Sequence, residues 1–255
     1  MVAAAATAHL WAIAPVPDVN TIVQRSMQAN NRDWQVAPQY DYFERDRNDG
    51  TSRTYRVTMI FGSPYRQLVA LDGEPLSAQQ RAAEQSKLEQ ATARRRNESP
   101  RERTRRNAEY RKERQRDHQM IEQLAAAFNF RLAGQQKQGS RDVYVLEATP
   151  RAGYVPPTRN AAVLTGMRGT LWVDAQTFQW IKVEAEVTRP VQIAGFVARV
   201  MPGTRFALEY APVTSDVWLP THYTMQSHAR LLYVFSRRDQ ADESYYGYTP
   251  HSLKQ

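Results

Sequence analysis

Gly169-Thr170-Leu171-Trp172-Val173-Asp174, followed after a short gap by Trp180-Ile181-Lys182-Val183-Glu184-Ala185-Glu186-Val187, reads as two antiparallel strands across a tight turn. In the second segment Ile181, Val183, Ala185 and Val187 fall on one side, and Lys182, Glu184 and Glu186 on the other. A period of two sets one sheet face against apolar matter and the other in water. No catalytic motif sits on the segment, which directs attention to a binding surface rather than a reaction.

The same pattern extends in both directions. Residues 40–47 and 51–61 flank Asn48-Asp49-Gly50, where Asp-Gly is a strong hairpin signal, and residues 65–71 form a third strand. Val57, Met59 and Phe61 share one predicted face with Tyr55. Further strands are predicted over 128–132, 142–148, 191–200, 204–210, 218–227, 229–237 and 243–248, with Pro202-Gly203 and Ser215-Asp216 among the turns. Before the first strand, Asp18 is placed to cap a helix with Val19, Ile22, Val23 and Met27 on one face, ending near Asn30-Asn31.

Residues 77–128 differ in character. Ala, Gln, Arg and Glu dominate, and these are strong helix formers. Ser99, Pro100 and Glu102 fit an N-cap, a first-turn proline and the acid of a capping box. Two helices are therefore predicted, over 78–97 and 100–128. The second is polar all round until Met120, Ile121, Leu124 and Phe128, so only that end is expected to anchor the pair, with the other end projecting into water.

Composition narrows the functions available. The chain has 255 residues, a net charge of +8 and no cysteine, which excludes disulfides, thiolate metal sites and a cysteine nucleophile. The basicity is local: residues 77–122 carry a net +5, whereas residues 1–76 carry −1. Interleaved glutamates and a single aromatic, Tyr110, in the basic segment argue against nucleic acid as a partner. His9, His118, His222, His228 and His251 show no metal-ligand spacing. No nucleophile elbow or phosphate loop is present, so neither an enzyme nor a cofactor is expected. No run approaches the roughly 18 apolar residues of a membrane span. Ala-rich residues 1–17, with an Ala12-Ile13-Ala14 step, read either as an export-signal remnant or as a disordered leader.

About ten strands offer more apolar face than the stripes at Val19–Met27 and Met120–Phe128 can cover. The excess must close on itself, meet a partner or line a cavity. Strand alternation nominates Val57, Met59, Phe61, Leu171, Val173, Ile181, Val183, Phe206, Leu208, Tyr223, Met225, Leu231 and Tyr233 for such an apolar trough, with Ile121, Leu124 and Phe128 as lid contacts.

The order of a helix, a meander, a helical insertion, then Gly-x-Leu-Trp-Val-Asp with a downstream Lys182-Val183-Glu184 resembles the periplasmic lipoprotein-carrier superfamily that includes LolA, LolB and RseB. Gly203-Thr204-Arg205-Phe206 and Trp218-Leu219-Pro220-Thr221 support the resemblance. It implies a mainly β fold, a strongly curved antiparallel sheet forming an unclosed barrel, spanning 18–255 as one domain with the charged helical pair as a lid. It further implies a non-enzymatic, exported, periplasmic protein whose trough holds the acyl chains of a lipid or lipidated protein. The Arg-rich helices would then meet a membrane-bound partner or an anionic membrane surface. The alternative is an envelope interaction or sensor module with a filled core, docking a partner through the charged helices.

Overall fold

A computed structural model of the chain describes residues 16–48, 50–193, 198–231 and 235–251. Helix α1 (Val19–Val36) starts where Asp18 accepts a hydrogen bond from the Thr21 amide at 3.0 Å. It runs about a turn and a half past Asn31. Ile22 and Val23 are buried on its apolar stripe, and so are Ser26, Asn30 and Asp33.

After a 3-10 turn come β1 (Tyr40–Asn48), β2 (Thr51–Ile60), β3 (Ser63–Leu71) and the two-residue β4 (Glu74–Pro75). The inserted helices are α2 (Ala78–Arg96) and α3 (Pro100–Glu122), followed by a short α4 (Leu124–Ala127). Ser99 and Glu102 form the expected capping box, and Ser77 with Gln80 forms another at the start of α2. The chain continues through β5 (Phe128–Gln138), β6 (Arg141–Pro150), a 3-10 segment (Asn160–Gly166), β7 (Met167–Asp174), β8 (Trp180–Val187), β9 (Val191–Gln192), β10 (Ala198–Val200), β11 (Arg205–Pro212), β12 (Trp218–Leu231) and β13 (Phe235–Pro250). The two strands expected over 218–237 are instead one long β12, and the last strand starts earlier than expected.

All thirteen strands join one antiparallel sheet in the order β4-β3-β2-β1-β13-β12-β11-β8-β7-β6-β5, with β10 and β9 added beside β12. Its ends, β4 and β5, are not paired with each other, so the barrel is unclosed. The pairing of β1 with β13 splices the first three strands onto the end of the meander.

One face of the sheet carries the helices. Against it, Ile22 and Val23 of α1 pack on Tyr144, Leu146, Leu171, Val173 and Trp180. Beside them Ala127 and Phe128 pack with Leu164, Met167, Val187 and Val191.

The helical pair sits differently from the expectation. Its far end does not project into water; it is tied to the β2–β3 turn by arginine. Arg95 donates to the carbonyls of Ile60, Ser63 and Pro64 at 3.1, 2.9 and 3.1 Å. Arg106 donates to the Phe61 carbonyl at 3.1 Å and the Ser63 hydroxyl at 2.5 Å, and grips Glu98 at 2.6 and 2.7 Å. The Arg103 guanidinium lies 5.3 Å from the Phe61 ring centroid. Farther along α3, Arg114 donates to the Trp34 carbonyl and lies 4.4 Å from the Trp34 ring, whose stacking partner is His118 at 4.2 Å. An apolar stripe was the wrong criterion for docking here, because planar guanidinium groups satisfy turn carbonyls and stack on rings.

Candidate functional site

The helix-bearing face is best followed across the strands. Leu171 on β7 faces Val183 on β8, Val183 faces Leu208 on β11, and Leu208 faces Tyr223 on β12. A second row runs through Gly169, Ala185, Phe206 and Met225. Each row is apolar because each strand alternates with a period of two in matching register. Gly169 is required where it stands: a Cβ there would lie 2.7 Å from the Glu184 carbonyl oxygen.

These two rows are the floor of a cavity of about 390 Å³. Met120 and Ile121 of α3 and Leu124 of α4 line it from the helical side, joined by Val163 and Leu164 of the 3-10 segment and by Phe128 and Phe130 of β5. The lining is overwhelmingly apolar. Glu184 touches it, but alternation puts its carboxylate on the opposite face, where it meets Lys182 at 2.7 Å.

The sequence-predicted residues divide into groups. Leu171, Val183, Phe206, Leu208, Tyr223 and Met225 line the cavity together with Ile121, Leu124 and Phe128. Val173 lies on the same face but is filled over by α1 and belongs to the core.

Ile181 is a correction. Register between β7 and β8 shifts between Trp172 and Val173, so Trp180 rather than Ile181 follows Val183 on the inner row. Ile181 packs instead with Val143 and Trp218. A bulge inserts one residue and reverses every side chain beyond it, and the alternating pattern alone contains no sign of it.

Val57, Met59 and Phe61 are also corrections. β13 and β1 lie between β12 and β2, so β2 is too far across the sheet to reach the cavity. Val57 is buried there opposite Tyr42 and Arg66. Phe61 is not in a strand. With Gly62 it forms a two-residue turn in which both have positive φ, 48° and 88°, the arrangement that suits a twisted hairpin. Tyr233 lies outside the described residues, as does the side chain of Leu231. Trp180, Met120 and Phe130 line the cavity without having been nominated.

Beyond Tyr223 the apolar row ends at Glu243 on β13, which faces Asp46 on β1. Here the same face is ionic. Arg66 donates to Glu44 at 2.8 Å and Asp46 at 2.7 Å, and the Tyr245 hydroxyl donates to Glu243. Burial, with Asp46 and Glu243 as further negative neighbours, pushes the Glu44 carboxyl up to about 7 against the opposing pull of Arg66. Tyr42, Tyr245 and Tyr248 are likewise raised by burial.

A larger basin of about 1230 Å³ lies on the other face, lined by Arg47, Glu147, Arg168, Glu186, Arg205 and Asp242 among others. Its charges pair with one another: Arg205 with Glu186 at 3.3 Å, Arg168 with Glu186 at 3.6 Å, Arg47 with Asp242 at 3.7 Å. Size favours the basin, but only the smaller cavity has walls from which water gains nothing, and there an apolar ligand gains most.

No protein-family model matches the sequence, and no curated protein matches it. Solved structures do. The chain is similar in layout to LolA-superfamily structures. A LolA superfamily protein from Nitrosomonas europaea shares 11% identity over 93% of this chain and 95% of its own, with a TM-score of 0.35. A structure described as an outer membrane lipoprotein-sorting protein domain, from Vibrio parahaemolyticus, shares 11% over 91% and 94%, with a TM-score of 0.35. A DUF1329 family protein from Desulfovibrio piger shares 10% over 91% and 94%, at 0.30.

One buried acid on α1 gives a pH test. Asp33 on α1 is 4% exposed. Burial raises its pKa to about 6, opposed by the Trp218 amide, the Gln179 side chain and Arg32. A carboxyl whose folded pKa exceeds its unfolded value near 3.9 gives stability that is complete below about 4 and is lost as pH rises through 6. Asp33→Asn is expected to lessen that loss between pH 4.5 and 7.5 by about 1 kcal/mol. Urea unfolding at the two pH values measures it. Equal slopes in variant and parent would place the titration elsewhere.

Proposed function

We propose that the protein binds an acyl chain in the cavity between the β7–β8–β11–β12 floor and the α3–α4 roof, as a non-enzymatic carrier in the bacterial envelope. The observation that carries this reading is the continuous apolar row Leu171–Val183–Leu208–Tyr223 with unfilled space between it and Met120, Ile121 and Leu124. Each methylene moved from water onto such walls gains about 0.8 kcal/mol. The cargo is a lipid or the lipid moiety of a lipidated protein. No described helix is long and apolar enough to cross a membrane, and exported, periplasmic residence is part of the proposal. Arg94, Arg96, Arg101, Arg105, Arg111 and Lys112 are exposed on the helical pair, a distribution suited to brief contact with anionic headgroups during loading. The competing docking-module reading needs a filled interior, and the open cavity favours the carrier.

Val183 stands mid-floor between Leu171 and Leu208. Val183→Trp is expected to fill the cavity and weaken uptake of a fluorescent fatty acid at least 10-fold. Because the new bulk enters open space, the stability measured by urea unfolding should fall by less than the 1–3 kcal/mol typical of overpacking a filled core. Unaltered fatty-acid affinity in a folded variant would remove the cavity from consideration.

A further inference from the structure

Within this acyl-binding reading, we propose that the cavity takes one acyl chain at a time, so that the ligand class is a single-chain amphiphile rather than a two- or three-chain lipid. Capacity is the first argument. An apolar cavity of about 150 Å³ accommodates a benzene ring, which sets a scale of about 25 Å³ per carbon. At 390 Å³ the cavity here holds about 15 carbons on that scale. That is one fatty-acyl chain; a common two-chain lipid needs about twice the space.

Rigidity is the second argument. The floor is held by continuous strand pairing through Val183 and Leu208. The roof residues Ile121 and Leu124 lie in the last turn of α3 and at the start of α4, and α3 is tied down at two separate places. One is the β2–β3 turn, through Arg106, beside Arg95 of α2, which binds the same turn. The other is α1, where Trp34 lies between Arg114 and His118. A helix fixed at both points does not swing clear to double the volume. The third argument is chemical. Among the described residues the walls present no charged side chain to the interior, since Glu184 turns to Lys182 on the opposite face, so the head of the amphiphile stays at the mouth.

Native mass spectrometry on the full chain, with isothermal titration in parallel, tests this with four probes: saturated fatty acids of increasing length, a lysophospholipid, a diacyl phospholipid and a triacylated lipopeptide. The expected result is one fatty acid or lysophospholipid per chain. Affinity should rise about four-fold per added methylene until roughly 15 carbons and then level off, with the multi-chain probes at least 10-fold weaker. The fatty-acid and lysophospholipid arms separate a free acid from a headgroup-bearing lipid as the source of the chain. Leu208→Phe, which narrows the floor, should move the plateau to shorter chains. Two fatty acids per chain, or a diacyl lipid bound as tightly as its single-chain counterpart, would overturn the single-chain proposal and leave acyl binding standing. No uptake of any of the four probes would overturn both.

Discussion

Asp174→Ala is expected to destabilise the protein by about 2–4 kcal/mol, because it deletes a buried carboxylate that several hydrogen-bond donors share. Asp174 ends the Gly-Thr-Leu-Trp-Val-Asp strand and is 1% exposed. Its carboxylate accepts from the Gln176 amide at 3.0 Å, the Thr177 amide at 2.9 Å, the Thr177 hydroxyl at 3.0 Å and Arg141 at 3.0 Å. Those contacts organise a turn that holds Phe178 at a φ of 62°, a conformation that costs a bulky residue about 1–2 kcal/mol. Phe178 in turn packs on Tyr144 and under Arg25 of α1. Alanine removes a charged acceptor shared by four donors, and a hydrogen bond to a charged group is worth about 1.5–3 kcal/mol. Asp174→Asn keeps an acceptor and should lose less.

The pH dependence separates this role from simple packing. Burial alone would raise the Asp174 pKa, but the Thr177 amide, Arg141, the Gln176 amide and the Thr177 hydroxyl overcome it and hold the carboxyl below its ordinary value. A depressed folded pKa gives stability that is present above the unfolded value near 3.9 and lost as pH falls through the folded one. The parent protein should therefore lose stability below about pH 4 faster than Asp174→Asn does. A loss under 1 kcal/mol on Asp174→Ala, measured by urea unfolding at pH 7, would show that the turn is held by Phe178 packing instead.

The hairpin built on this turn shows what local pattern can and cannot convey. Alternation placed Leu171, Val183, Phe206, Leu208, Tyr223 and Met225 on one face because each strand's period survives within itself. It misplaced Ile181 because a bulge is a property of two strands' hydrogen bonds, not of either strand's composition. A register shift between Glu209 and Tyr210 on β11 is equally silent in the sequence. The capping box at Ser99 was legible, since it is a contact between residues three apart.

Sheet order was not legible. Nothing near Tyr40 announces that it will pair with Pro250, and that pairing is what removes Val57 and Met59 from the cavity. Nor could alternation show that the β13–β1 half of the inner face is lined by Glu44, Asp46, Arg66 and tyrosines. That polar lining reduces the apolar area the helices must cover, so the excess is concentrated over β7, β8, β11 and β12.

The roof of that excess depends on arginine, which leads to the second large effect. Arg106→Ala is expected to raise the rate of tryptic cleavage between residues 94 and 116 by about 10–100-fold under conditions where cutting follows the opening equilibrium. The parent's Arg106 is 20% exposed at its side chain and joins Phe61, Ser63, Asn107 and Glu98 in one cluster. Hydrogen bonds to a charged donor are worth about 1.5–3 kcal/mol, and about 1.4 kcal/mol is a factor of ten. Arg95 of α2 grips the same turn through three carbonyls and Arg103 lies over Phe61, but apolar burial adds little at this end. Ala91 is the buried residue of α2, and α3 has no apolar stripe before Met120. Arg105→Ala is the matched control: Arg105 is 78% exposed, with its carboxylate partner Glu109 at 4.0 Å. It deletes the same side chain one position away and should leave cleavage unchanged. If both variants are cut at the same rate, the helices are held without Arg106, by Arg95, Arg103 and the contacts of Trp34 with Arg114 and His118. If only Arg106→Ala opens, the roof over Leu208 is governed from the β2–β3 turn, and the charged segment that looked like a solvated surface is the clamp on the cavity.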